Sequence, residues 1–306
     1  MRTPRLHFLK SLPTACPELA EGTARRLKSF TMKKLLIIAV LILAAFAWAG
    51  LDNVFYYPDH REYTTPTADG YKYEEVQFQS KDGTKLSGWF IPAQGEALGT
   101  VIHFHGNAQN MSAHYSSVSW LPANGFNLFV FDYRGYGKSE GKVSRRGVYE
   151  DLIAAIETIK SRTDIDQNKI ILFGQSIGGA NALTVAGNNP FDGIVGIATD
   201  SAFSSYKSVA MDHTTLLKPL AALLIGNKLS PKKTVQNIAP IPLLFIHGTA
   251  DKVVPYKHAQ ILLEQAGDPK ELWTIPNGQH TEALGPYLKE FGPKLLSQFK
   301  AWVGEK

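Results

Sequence analysis

The sequence predicts an α/β fold, in which one mostly parallel sheet of eight strands is covered by helices. Three observations predict it. Short, nearly continuous apolar runs recur at 100–104, 128–131, 170–173, 194–198 and 243–246, which suits strands buried on both faces. Stretches with helical apolar spacing lie between them. Two alternating runs come first, so an antiparallel start gives way to strand–helix alternation.

In chain order, residues 73–79 and 86–91 alternate around Asp82-Gly83, which reads as a hairpin. The five apolar runs follow as core strands. Val148, Leu152, Ile156 and Ile159 recur at close to 3.6 residues, and Ala259, Leu262 and Leu263 mark another helix. Residues 272–275 form a last strand and 284–302 a last helix. Residues 203–239 make a short cap between two strands. Its apolar side chains Leu216, Leu217, Leu220, Leu223, Leu224 and Ile225 either line an acyl site or pack a helix on the sheet. There is no internal repeat and no low-complexity tract.

Composition excludes several function classes. With 44% hydrophobic and 19% charged residues in 306, the chain is globular rather than disordered. Its formal charge of +5 is concentrated at the start. Arg2, Arg5, Lys10, Arg25, Arg26, Lys28, Lys33 and Lys34 face only Glu18 and Glu21 there, and the remainder is close to neutral. Basicity therefore gives no reason to expect nucleic-acid binding by the folded part. The single cysteine, Cys16, lies in the same segment. The globular body can hold no disulfide, no cysteine-based metal site and no cysteine nucleophile.

Residues 35–51 read LLIIAVLILAAFAWAGL, with Lys33-Lys34 before them. This uncharged run is at the lower length limit of a membrane span and the upper limit of a signal-peptide core. Trp48, Phe55, Tyr56 and Tyr57 resemble an interfacial aromatic belt and favour an uncleaved anchor. Ala47-Trp48-Ala49 resembles a small-x-small cleavage site and favours a signal sequence, and a buried core helix is a third reading. The preceding lysines would leave the N-terminus in the cytoplasm and send the body across the membrane, or export it after cleavage. Met32-Lys33-Lys34 has the form of a natural start. The expected organisation is a leader at 1–31, an anchor or signal at 32–51, a linker at 52–69 and the enzyme-like domain at 70–306.

The chemistry is carried by four motifs. The first is a buried strand at 170–173, then Gly174-Gln175-Ser176-Ile177-Gly178, then a helix. A sharp strand-to-helix turn needs small flanking residues, and it lifts the serine hydroxyl above the sheet at a helix N-terminus. Ser176 is the expected nucleophile. The second is His103-Phe104-His105-Gly106-Asn107-Ala108 at a strand end. Acyl transfer needs backbone N–H groups aimed at the developing oxyanion. Asn107 in this loop and Ile177 after the serine are the expected donors. His103 and His105 precede the serine and are not expected to be catalytic.

The third motif is Ile246-His247-Gly248-Thr249-Ala250-Asp251-Lys252-Val253-Val254-Pro255, where Asp251 follows a strand at the carboxyl edge of the sheet. Asp251 is the expected acid, with Asp200, which ends the preceding strand, as its rival. The fourth is Pro276-Asn277-Gly278-Gln279-His280-Thr281-Glu282, which puts His280 on a loop after the last strand. The order Ser176, Asp251, His280 is that of a nucleophile-elbow hydrolase.

Through these residues the chain resembles the α/β-hydrolase superfamily over about residues 70–303. It is most similar to a membrane-anchored branch with an H-G-N-A-x-N loop, an F-D-Y-R-G-Y-G-x-S-x-G loop and an H-G-x-x-D-x-x-V-P loop, here at 105–110, 131–141 and 247–255. One departure is Gly278-Gln279, where many relatives carry Gly-Gly or Ala-Gly before the histidine. The resemblance implies hydrolysis of a small-molecule or lipid ester or thioester through an acyl-enzyme. It implies His280 as general base, Asp251 orienting it, and no metal or cofactor. A serine peptidase or amidase, or a catalytically silent membrane-tethered binding module, are the competing readings.

Overall fold

The computed structural model describes residues 34, 54–214 and 225–305. The apolar run 35–51, the leader, and Leu216, Leu217, Leu220, Leu223 and Leu224 of the cap lie outside the described residues. Among those described, no helix is long and apolar enough to cross a membrane.

The strands are β1 (Tyr57–Pro58), β2 (Glu74–Gln79), β3 (Lys85–Ile91), β4 (Gly99–Phe104), β5 (Ala108–Gln109), β6 (Phe126–Phe131), β7 (Ile170–Gln175), β8 (Ile194–Asp200), β9 (Leu243–Gly248) and β10 (Lys270–Ile275). Eight of them form one sheet in the order β10-β9-β8-β7-β4-β6-β3-β2. β2–β3 and β3–β6 pair antiparallel, and every other neighbour in that sheet is parallel. β1 and β5 pair apart from it.

The continuous apolar runs are explained by burial on both faces. Ile102, Phe104, Phe129, Phe131, Ile170 and Leu172 point into one buried cluster, while Val101, Leu128, Val130, Ile171 and Phe173 point into another. Each strand thus alternates between two cores, and both sets of positions are apolar. Helices α2 (Arg145–Lys160), α3 (Ile177–Asn188) and α5 (Lys257–Gln265) cover the first face through Val148, Leu152, Ile156, Leu183 and Leu262. Between α3 and α5, α4 (Tyr206–His213) opens the cap and adds Tyr206 and Val209 to that cluster. The short α1 (Met111–His114) and the last helix, α6 (Leu288–Trp302), cover the second through Met111, Phe291, Leu295 and Phe299.

Element edges differ from the sequence expectation in one place with a clear cause. The last helix begins at Leu288, not at residue 284. Pro286 disfavours helical backbone at Gly285, and residues 281–287 form turns instead.

Candidate active site

The carboxyl ends of β7, β9 and β10 bring Ser176, Asp251 and His280 together. Ser176 fills the one-residue turn between β7 and α3 with φ 53° and ψ −120°. A non-glycine residue held there stores about 1–3 kcal/mol of strain. The surroundings over-determine it, since the Ser176 N–H donates to the Asp200 carbonyl at 2.8 Å and the Ser176 carbonyl accepts from Ala180 N–H at 3.1 Å. Gly178 allows the neighbouring loop to close in, for a Cβ there would lie 2.1 Å from the Phe104 carbonyl oxygen.

The Ser176 hydroxyl lies 2.9 Å from His280 Nε2, and His280 Nδ1 lies 2.7 Å from Asp251 Oδ2. The other carboxylate oxygen, Oδ1, accepts the N–H groups of Val253 and Val254 at 2.8 Å each. Burial pushes the Asp251 carboxyl up. Hydrogen bonds from His247 and His280 and the backbone of Val254 outweigh that and hold it well below the usual carboxylate range. A permanent buried carboxylate at Nδ1 keeps the proton on that nitrogen and leaves Nε2 able to accept one from the serine. The two loops are stitched together by Thr249 N–H to Ile275 O and Ala250 N–H to Gly278 O, both at 3.0 Å. Gly248 makes that approach possible, since a Cβ on it would meet Gly278 O at 2.2 Å. The backbone at Gln279 is outside the left-handed region, so the residue before the histidine does not need to be glycine.

Asn107 and Ile177 both line the cleft beside Ser176. Ile177 opens α3, where a helical N–H has no partner within the helix. The peptide that carries the Asn107 N–H is oriented from its other end. His105 Nδ1–H donates to the Gly106 carbonyl at 2.7 Å, and in a trans peptide the N–H points the opposite way. His105 is fully buried, stacked on Tyr133 with ring centroids 4.1 Å apart. Burial, helped by His114, pushes its pKa well below the usual histidine value and keeps it neutral. Tyr133 Oη–H donates to the His105 carbonyl at 2.9 Å and Tyr136 Oη–H to the Asn107 carbonyl at 2.6 Å. The carbonyls of the loop are thus tied inward, away from the cleft. His105, Tyr133 and Tyr136 hold the backbone of this loop, contacts that the sequence reading did not identify. Tyr133 and Tyr136 come from the F-D-Y-R-G-Y-G stretch, which the sequence marks by resemblance alone and not by these contacts. His103, by contrast, is buried against Gln175 at 3.2 Å.

A second Ser–His–Asp arrangement exists. The Ser204 hydroxyl lies 2.8 Å from His258 Nδ1, and His258 Nε2 lies 2.9 Å from Asp212 Oδ2. Ser204 and His258 are fully buried. The Ser204 N–H also donates to Nδ1 at 3.1 Å. This set clamps α4 to α5, with its serine hydroxyl turned into the interior.

Above Ser176 opens a cleft of about 380 Å³. Val54, Phe55, Ile177, Phe203, Val209, Ile225, Val253 and Val254 give it an apolar wall, with Tyr57, His213 and Thr214 at its polar edge. No carboxylate lines it among the described residues. No group of three or more His, Cys, Asp or Glu among the described residues could hold a metal.

The chain is similar to several known proteins. Residues 95–240 match the family described as "Serine aminopeptidase, S33". The chain is 45% identical over 236 residues to the uncharacterized protein YfhR of Escherichia coli (strain K12), covering 76% of this chain and 81% of YfhR. It is 34% identical over 237 residues to the alpha/beta hydrolase domain-containing protein WAV2 of Arabidopsis thaliana, covering 71% and 75% of the two chains. A solved esterase of Pyrococcus furiosus superposes with a TM-score of 0.70 at 23% identity, over 82% of this chain and 99% of that one, a likeness of fold.

Proposed function

The chain belongs to the α/β-hydrolase superfamily, and on that premise we propose that it is a serine hydrolase cleaving carboxylic ester or thioester bonds through an acyl-enzyme. One observation carries the reading, the run of contacts from Ser176 to His280 to Asp251 at 2.9 and 2.7 Å on the floor of an apolar cleft. Ser176 Oγ attacks the substrate carbonyl carbon while its proton passes to His280 Nε2. The carbonyl oxygen becomes an oxyanion between the N–H groups of Asn107 and Ile177. As the tetrahedral species collapses, His280 returns the proton to the departing alcohol or thiol. Water then attacks the acyl-enzyme, with His280 again as base, and the carboxylic acid leaves.

An apolar wall favours an acyl chain. An aminopeptidase would need a carboxylate to hold the substrate's ammonium group, and the described lining has none. With p-nitrophenyl esters, kcat/KM is expected to rise from acetyl toward hexanoyl or octanoyl, up to about fourfold for each fully buried methylene. Aminoacyl amides should be turned over at least about 100-fold less well, since the amine would enter an apolar site unpaired. A preference for aminoacyl amides would replace the esterase reading by a peptidase one. A fluorophosphonate probe should label Ser176, and an unlabelled serine would leave a binding module.

We further propose that residues 35–51 anchor the protein in a membrane, with the catalytic domain on the non-cytoplasmic side, as in the membrane-anchored branch the motifs resemble. Lipid or acylated substrates would then be met at high local concentration. Full-length protein should stay in the membrane fraction through an alkaline carbonate wash, and a chain beginning at Asp52 should be released and active. Release of the full-length protein would refute the anchor. A native chain beginning at Gly50 would show a cleaved signal and a free exported hydrolase.

A further inference from the structure

The segment that leads into the domain runs along the oxyanion loop and the cleft. β1 pairs in parallel with β5, so the Tyr57 N–H donates to the Asn107 carbonyl at 2.9 Å and the Asp59 N–H to Gln109 O at 3.0 Å. The Asn107 carbonyl therefore has two holds, this one and the Tyr136 hydroxyl. The segment is itself fastened. Asn110 Nδ2 donates to the carbonyls of Asp59 and Arg61 at 3.0 and 2.7 Å, and Gly137 N–H donates to Asp59 O at 2.9 Å. Tyr56 is buried, and its hydroxyl hydrogen-bonds to the Tyr206 hydroxyl at 2.7 Å and accepts from Nδ2 of Asn181, on the helix that follows Ser176, at 3.2 Å. On its other side, Val54 and Phe55 line the cleft together with Ser176. Phe55 meets Tyr206 edge-on with ring centroids 4.9 Å apart.

We propose that residues 54–59 are a strap that completes the active site: the Tyr57 N–H is a positioning group for the Asn107 oxyanion donor, and Phe55 sets the acyl specificity of the cleft. The proposal rests on the acyl-transfer reading above. Its physical basis is pre-organisation. An oxyanion donor helps only if it already faces the place where charge develops, and a whole donor is worth about 10²–10³ in kcat. The holds are on the carbonyl of the same residue, in the peptide that follows the donor N–H, so releasing one of the two loosens the Asn107 backbone without deleting the donor, and the loss is smaller.

The test separates a backbone hydrogen bond from a side chain. Tyr57→Pro removes the N–H, and Tyr57→Ala keeps it while deleting a ring that is largely exposed. Proline also suits this extended position. With a short-chain p-nitrophenyl ester, Tyr57→Pro is expected to lose about 10–100-fold in kcat with KM changed less than about threefold, and Tyr57→Ala, which loses the ring and its hydrogen bond to the Val54 carbonyl but keeps the N–H, to lose at least about fivefold less in kcat than the proline variant. Wild-type kcat in the proline variant, or equal losses in both variants, would overturn the strap. If Tyr57→Pro shows no cooperative melting transition, Phe55→Ala decides. Its KM should rise at least about fivefold more for an octanoyl ester than for the acetyl ester, and equal changes for both would overturn the proposal. Fluorophosphonate labelling of wild-type Ser176 in the same series separates the two claims. A labelled wild type with an unaffected proline variant sinks the strap alone, and an unlabelled wild type sinks the acyl-transfer reading and the strap with it.

Discussion

Replacing Ser176 by alanine is expected to lower ester hydrolysis by a factor of order 10³ or more while leaving the fold intact. The substitution removes the only hydroxyl among the described residues that both contacts His280 Nε2 and opens onto the cleft. It leaves the backbone bonds of the turn, from Ser176 N–H to Asp200 O and from Ala180 N–H to Ser176 O, in place. Alanine carries the same left-handed strain as serine, so the melting temperature should shift by no more than a few degrees, about 1 kcal/mol or less. The amides of Asn107 and Ile177 would remain and would sustain residual turnover above the uncatalysed rate. Steady-state hydrolysis of p-nitrophenyl butyrate, read beside a thermal melt, checks both halves. A folded alanine variant with wild-type turnover would move the nucleophile elsewhere. Ser204 would not inherit the role without rearrangement, because it is sealed against His258 in the interior.

The parts of this molecule that were legible in the sequence are those whose physics is local. β4, β6, β7, β8 and β9 announce themselves because both faces of each strand are buried, so apolar residues fall on both sets of alternating positions. The turn at Ser176 is legible because close backbone approach permits only small residues at Gly174 and Gly178, which leaves a written trace. The parts that were not legible depend on contacts between residues far apart in the chain. Tyr133 and Tyr136 reach back 28 and 29 positions to backbone carbonyls, and a hydroxyl bound to a carbonyl imposes no pattern at either end. The pairing of β1 with β5 is made by main-chain groups that every residue except proline owns. Residues 54–59 therefore carry no periodicity that would mark them as part of a site. The Ser204–His258–Asp212 set is the converse case, in which the right residue types meet but with the ring nitrogens exchanged, Nδ1 already accepting the Ser204 N–H, and with the serine buried.

The choice between two aspartates gives the other large expected effect. Asp200 and Asp251 follow adjacent parallel strands, with Asp200 in register with Ile246 of β9, so sequence position nominates both. Their hydrogen bonds predict opposite consequences for an asparagine. At Asp251 the oxygen of an asparagine would be claimed by the two N–H donors of Val253 and Val254. Its NH₂ would then face His280 Nδ1 and donate to it, which puts the imidazole proton on Nε2 and prevents it from taking the proton of Ser176. Asp251→Asn should therefore cost about 10³–10⁴ in kcat with little change in KM. At Asp200 the contact that matters is Oδ1 accepting the Ser201 hydroxyl at 3.0 Å, while Ser201 Oγ accepts the Thr281 N–H at 2.9 Å. An asparagine oxygen keeps that link, so Asp200→Asn should stay within about tenfold of wild type. Its effect lies in stability. Burial pushes the Asp200 carboxyl up to about 6, against the opposing influence of Ser201, His280 and His247. Because the folded value lies above the ordinary aspartate value near 4, the neutral form is favoured in the native state. The stability this contributes is complete below about pH 4 and lost as pH rises through about 6. Asparagine has no such loss, so the variant should gain on wild type by on the order of 3 kcal/mol between pH 4 and pH 8. Urea midpoints at the two pH values, measured beside kcat for both variants, test the pair of statements together. A larger loss of activity in Asp200→Asn than in Asp251→Asn would transfer the orienting role to Asp200.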